Sequence, residues 1–137
     1  MRRIENIVLA GITIVEGYAE GEALVTNQPL SFMGSINSKT GQIIEQGHEL
    51  EGQYMTGKIF VFPFSKGSTG GSYMLYDVVK NKKGPVGIIN ADAEPICVIG
   101  AIVAELPMVD GIEITQIKNG DNIKLDATHG RVEIIRK

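Results

Sequence analysis

Between Lys58 and Val109 short apolar runs alternate with helix-like ones, and no other feature restricts the possible folds as strongly. Lys58–Phe62 (KIFVF) reads as a strand that Pro63 ends, because proline has no N–H to give to a ladder. Met74, Leu75, Val78 and Val79 then fall on one face of a helix. Lys80, Lys82 and Lys83 complement the dipole at its C-terminal end, and Gly84-Pro85 stops it. Val86–Asn90 is a short apolar strand and Ala91–Glu94 a turn. Pro95 suits the first turn of a second helix, Ile96–Glu105, which is apolar almost all round and is therefore expected to be well buried. Leu106–Val109 is another short strand. The order β-loop-α-β-α-β calls for strands that run parallel.

The flanks are β-rich. Ile7–Val15 is an apolar run, and Tyr18–Val25 alternates, with Tyr18, Glu20 and Glu22 on one face and Ala19, Gly21, Ala23 and Val25 on the other. Gly17 and Gly21 read as bulges in a curved sheet rather than as a site wall. Asn27–Gly57 is the longest irregular region, with turn signals at Gly34, Asn37–Gly41 and Gly47, and a loop of this length is expected to contact a substrate or partner. His48 lies within it, and no second histidine or cysteine stands at ligand spacing, so it reads as a structural hydrogen-bonding group. Lys118–Asp121 is a turn, Ile123–Asp126 alternates, His129–Gly130 turns again and Arg131–Arg136 is a last strand. The expected fold is α/β: a barrel-like mixed sheet built from both ends of the chain, with a central βαβα unit packed on it, as one domain over 1–137.

Seventeen glycines in 137 residues are about 12%, against roughly 7% on average, and imply many tight turns. Net charge is −3 with no basic run, which argues against a nucleic-acid partner. No run approaches the 18 or so apolar residues of a membrane span. Glu5, Asn6 and Glu16 spoil a signal-peptide pattern. The single cysteine, Cys97, excludes an internal disulfide and sits in an apolar helical pattern. A soluble cytoplasmic protein is expected.

The chemistry is concentrated in Phe62–Tyr76 (FPFSKGSTGGSYMLY), where Gly67, Gly70 and Gly71 stand among Ser65, Ser68, Thr69 and Ser72 between a strand and a helix. Backbone N–H groups and hydroxyls at a helix N-terminus hold anions. A P-loop is excluded because Lys66 precedes Gly67, the dinucleotide fingerprint because the glycine spacing is wrong, and an esterase elbow because neither Ser68 nor Ser72 has the required glycines. Two readings remain. Either the loop presents Ser68 to an anionic ligand, or Ser68, Thr69 or Ser72 simply caps the helix.

Three long stretches, EGYAEGEALVTNQPLSF (Glu16–Phe32), KIFVFPFSKGSTGGSYMLY (Lys58–Tyr76) and GIINADAEPICVIGAIVAELPMVD (Gly87–Asp110), resemble the small subunit of the aconitase X family. That subunit is the swivelling β/β/α domain of an iron–sulfur hydro-lyase, and the resemblance covers nearly the whole chain. It implies removal of water from (R)-5-phosphomevalonate to give trans-anhydromevalonate 5-phosphate, in an archaeal mevalonate route to isoprenoids. The alternatives are a related dehydratase acting on cis-3-hydroxyproline, and a non-catalytic anion-binding or regulatory module. The resemblance implies that Ser68, after Gly67, is the proton acceptor, and that the amides and hydroxyls of Gly67, Thr69, Gly70, Gly71 and Ser72 bind the substrate's phosphate or carboxylate. Thr69-Gly70 stands where such enzymes often carry an arginine, a role left to Lys66 or to a cation of the partner. The implied four-iron–four-sulfur cluster takes several cysteines. With one cysteine here, it is expected on a large subunit, without which this chain is inactive.

Overall fold

The computed structural model describes residues 5–66 and 70–136. Eight strands form one mixed sheet: β1 (Glu5–Ala10), β2 (Ile12–Val15), β3 (Tyr18–Val25), β6 (Ile59–Phe62), β7 (Gly87–Asn90), β8 (Met108–Asp110), β9 (Asn122–Asp126) and β10 (Arg131–Arg136). Their spatial order is β1-β10-β9-β3-β6-β7-β8-β2. β3, β6, β7 and β8 are mutually parallel, as the alternation of strands and helices requires, while β1, β10, β9 and β3 pair antiparallel, as does β2 with β8.

The two outer strands of that order are consecutive in the chain. The apolar run over 7–15 breaks at Gly11, so that β1 pairs with β10 and β2 with β8. One kinked segment thus supplies both edge strands, which brings the two ends of the sheet together and curls it into a barrel-like form. Gly11 donates its N–H to the Gly130 carbonyl at 2.8 Å. A Cβ on Gly11 would lie 2.3 Å from the Asp110 carbonyl oxygen, so only glycine lets the kink approach the end of β8 so closely.

β6 and β7 are buried at every position, the pattern of parallel strands covered on both faces. Alternate residues go to two cores. Ile59, Val61, Ile89 and Val109 face the barrel interior with Ile123 and Leu125. Phe60, Phe62, Ile88 and Met108 face outward, under helices α2 (Gly70–Lys80) and α3 (Pro95–Val103). β3 shows the alternation expected from its sequence along most of its length.

Asn27–Gly57 is more ordered than its turn-rich sequence suggests. It holds a tight turn labelled α1 (Phe32–Ser35), non-helical at Met33 and at Gly34 with φ +85°, and a small hairpin, β4 (Ile36–Asn37) with β5 (Gln42–Ile43). Leu30, Phe32, Ile36, Ile43, Leu50 and Met55 all enter the outer core. Phe32 meets Phe60 and Phe62 edge-on, with centroids 6.3 and 5.9 Å apart, an arrangement that the ring quadrupoles favour.

α3 departs from expectation. Cys97, Gly100 and Ala101 are buried, but Ile99, Ile102 and Val103 are about half exposed at 49, 54 and 58%. The helix packs on α2 with one face, and its apolar opposite face lies open beside Tyr73 of α2, itself 65% exposed.

Gly11→Ala is expected to destabilise the fold toward the upper end of the about 1–3 kcal/mol typical of overpacking, because the obstructing atom is backbone. Gly47→Ala, where a Cβ meets nothing within 4 Å but φ is +81°, is expected to cost less. Urea unfolding of the two variants measures the difference, and equal midpoints would refute the role given to Gly11.

Candidate functional site

The parallel strands β3, β6 and β7 release their loops at one end of the sheet, after Val25, Phe62 and Asn90, and β8 ends there at Asp110. In open α/β sheets this carboxyl end is where ligands bind. The glycine-rich segment leaves β6 there and runs to α2, so its position follows from strand direction.

Its first root is tied down on several sides. The Pro63 carbonyl accepts N–H groups from Ala91 and Asp92 at 3.1 and 3.0 Å. Ser65 forms a parallel bridge with Leu30, and the Lys66 N–H donates to the Leu30 carbonyl at 3.1 Å. The buried Ser65 hydroxyl donates to Glu94 Oε1. The same oxygen accepts the Cys97 N–H at 3.0 Å and so caps α3, with Pro95 as its first residue.

The second root begins with α2. A Cβ on Gly70 would lie 2.9 Å from Met33 Sδ, and one on Gly71 would lie 3.3 Å from Ile96 Cγ2. The two glycines thus let the helix start close against α1 and α3. The Ser72 hydroxyl donates to the Ile96 carbonyl at 2.6 Å, so it joins α2 to α3 and does not cap its own helix. Gly67, Ser68 and Thr69 lie outside the described residues.

Lys66 is the cation nearest the loop in sequence. Its Nζ stands 3.8 Å from Glu45 Oε2 and is half exposed, a loose pair of small energetic weight. Glu45 Oε1 in turn accepts the Ser35 hydroxyl at 2.5 Å. The long segment therefore packs against the roots of the glycine-rich loop through Leu30, Met33, Ser35 and Glu45. A second anchor lies further along, where Glu49 accepts the Thr26 hydroxyl and the Asn27 N–H at 3.1 Å. The Thr26 hydrogen bond, opposed by desolvation and helped by the Asn27 N–H, holds the Glu49 carboxyl below its usual range.

His48 makes the hydrogen bond that its isolation in the sequence suggests, through one ring nitrogen only. It is 6% exposed, and its Nδ1 accepts the Leu50 N–H at 3.0 Å, which places the ring proton on Nε2. At the end of β7, fully buried Asn90 donates through Nδ2 to the Phe62 carbonyl at 3.0 Å, bracing the strand from which the loop departs.

Among the described residues no three His, Cys, Asp or Glu side chains gather to hold a metal. Cys97, 1% exposed, points into the outer core, and burial pushes its thiol up to about 12, with the nearby Glu94 charge adding to the effect. An iron–sulfur cluster needs several thiolates, and this donor set does not fit one.

A barrel-like α/β domain whose parallel strands open onto a glycine-rich strand-to-helix loop is the class that fold and site together define. The Aconitase X swivel domain model matches residues 8–134. The chain therefore belongs to the aconitase X swivel-domain family. It is 45% identical to the phosphomevalonate dehydratase small subunit of Methanosarcina acetivorans over 133 residues, covering 95% of this chain and 92% of the relative. It is 46% identical over 127 residues to the protein of the same name from Thermococcus kodakarensis, covering 93% and 96%. Among solved structures, the crystal structure of Thermococcus kodakaraensis aconitase X (holo-form) superposes with a TM-score of 0.93 at 45% identity, covering 95% of this chain and 99% of that one.

Because the thiolate is the reactive form, native Cys97 is expected to resist a maleimide at pH 8 and to label fully in denaturant. Native labelling at the denatured rate would refute the burial assigned to it.

Proposed function

We propose that the chain is the small subunit of a heterodimeric hydro-lyase that dehydrates (R)-5-phosphomevalonate, with residues 1–137 as one swivel domain and Ser68 as the proton acceptor. The observation that carries this reading is identity of about 45%, along nearly the full length of both partners, to proteins named phosphomevalonate dehydratase small subunit. The loop's origin at the carboxyl ends of β3, β6 and β7 supports it, because that edge suits an anionic substrate.

In this reading Ser68, as its alkoxide, takes the proton from substrate carbon. The C–H electron pair forms the double bond, the C–O bond breaks, and the departing hydroxyl leaves as water after gaining a proton. A serine hydroxyl is a very weak base, so positive potential must stabilise its anion. Two sources adjoin it in the chain. The N-terminal N–H groups of α2 at Gly70 and Gly71 lie at the positive end of an eleven-residue helix. Lys66 supplies a full charge in place of the arginine, its loose contact with Glu45 leaving the ammonium available. The same groups, with Gly67 and Thr69, bind the phosphate or carboxylate of the substrate, while the Ser72 hydroxyl stays committed to Ile96 and holds the loop's second root.

The metal centre belongs to the large subunit, since this chain lacks the thiolates for it. The open apolar face of Tyr73, Ile99, Ile102 and Val103 is what an assembling subunit is expected to present. No helix among the described residues is long and apolar enough to cross a membrane, which accords with a cytoplasmic enzyme.

The test is anaerobic co-expression with the large subunit, followed by NMR detection of alkene from (R)-5-phosphomevalonate. Product is expected only with both chains present. Ser68→Ala is expected to lower turnover by about 10²- to 10⁴-fold with assembly intact. Full activity of that variant would remove Ser68 from the mechanism, and turnover of cis-3-hydroxyproline alone would change the substrate.

A further inference from the structure

We infer that Glu94 is a positioning residue for the loop between β6 and α2, and that the turn it begins fixes both roots of that loop. The inference rests on the dehydratase reading for its catalytic consequence, though not for its geometry.

One short stretch, 91–97, touches the loop on both sides. On the near side its backbone N–H groups at Ala91 and Asp92 hold the Pro63 carbonyl, and the Glu94 carboxylate holds the Ser65 hydroxyl. On the far side the Ile96 carbonyl accepts the Ser72 hydroxyl, and Ile96 packs where a Cβ on Gly71 would stand. Ser65 and Ser72 are seven residues apart in sequence, and their side-chain partners are two residues apart. The separation of the loop's ends is therefore set by a single helical start.

Glu94 makes that start rigid. Its Oε1 accepts the Ser65 hydroxyl and the Cys97 N–H together, so the loop root and the first turn of α3 share one oxygen. Ser65 is 4% exposed, and water does not compete freely for its hydroxyl. Hydrogen bonds to an ionised carboxylate are roughly twice as strong as neutral ones. The Ala93 N–H is held in turn by Asp110 Oδ1 at 2.7 Å, tying the turn to the end of β8. None of these groups needs to touch substrate. Their effect passes through the loop ends, and a displacement of about 1 Å at a reacting group can cost on the order of a hundredfold in rate.

The arrangement separates Glu94 from a mere helix cap. Ser65→Ala leaves the Cys97 cap intact and removes only the tie to the loop. Glu94→Gln keeps an oxygen able to accept both donors, whereas Glu94→Ala removes both contacts.

Two readouts test the inference. The first is hydrogen exchange of the full-length chain alone, followed at the Lys66 amide, which bonds to Leu30. Losing one charge-assisted hydrogen bond is expected to speed its exchange by about tenfold or more in Ser65→Ala and Glu94→Ala, with Glu94→Gln between wild type and Glu94→Ala. The second is steady-state kinetics of the assembled enzyme on (R)-5-phosphomevalonate. There kcat is expected to fall by about tenfold or more in Ser65→Ala while KM stays within about twofold, and Glu94→Gln is expected to keep more of kcat than Glu94→Ala. Unchanged Lys66 exchange in Ser65→Ala overturns the inference whatever the activity. So does wild-type kcat in Ser65→Ala, or Glu94→Gln as impaired as Glu94→Ala. A wild-type complex inactive on phosphomevalonate instead refutes the dehydratase reading, and the exchange data still decide the role of Glu94.

Discussion

Everything at the site depends on β6 being buried on both faces. Four consecutive apolar residues, Ile59–Phe62, send two side chains into the barrel and two under the helices. A strand held this way has no freedom of register, because a slip of one residue would exchange its two faces. Its last residue, Phe62, is further fixed by Phe32 on one side and by the Asn90 amide on its carbonyl. The glycine-rich loop therefore departs from a point that cannot drift. Parallel neighbours on either side carry their own loops to the same edge, which is how Leu30 and Glu94, 64 residues apart in numbering, come to hold the same loop root.

The parts of this design that were legible in the sequence are those governed by local periodicity and punctuation. Pro63, Gly84-Pro85 and Pro95 delimit β6, α2 and α3 close to where the elements end or begin. The alternation of Tyr18–Val25 appears in the burial of β3. The break at Gly11 carried only the weak local signal of a glycine inside the apolar run Ile7–Val15; what makes glycine necessary there is the Asp110 carbonyl, a contact 99 residues away. The length of Asn27–Gly57 also misleads. Its apolar residues are spaced by turns rather than by a helix or strand period, yet Leu30, Phe32, Ile43 and Met55 are fully or nearly fully buried. α3 fails for a different reason. Apolarity all round a helix implies burial all round only where the chain supplies a second covering layer, and here α2 covers one side only.

The same distinction runs through the site. A loop rich in glycine and hydroxyls between strand and helix can be recognised from sequence, because the chemistry and the spacing are local. The use of each hydroxyl cannot. Ser65 and Ser72 look equivalent to Ser68 in composition, yet one is spent on Glu94 and the other on the Ile96 carbonyl. Both partners lie across a β-α-β crossover, and only the parallel pairing of β6 with β7 brings them within reach. Glu94 itself carried a partial signal, since an acidic residue before proline suits a helix start, but its second bond to Ser65 had none.

This division of hydroxyls says something about how such a loop can work. Anion stabilisation at a helix N-terminus needs unengaged N–H groups, whereas positional accuracy needs engaged ones, and a short loop cannot supply both from the same residues. Here the engaged groups are outside the glycine segment, at Ser65, Lys66 and Ser72, and the glycines between them are left without side chains that could compete for a ligand. Rigidity is thus placed in the roots. Lys66 bridges the two, with its backbone fixed to Leu30 and its ammonium only loosely paired with Glu45. Since no three metal-ligating side chains gather among the described residues, what this edge of the sheet offers a ligand is hydrogen bonding and charge, set on anchored loop roots.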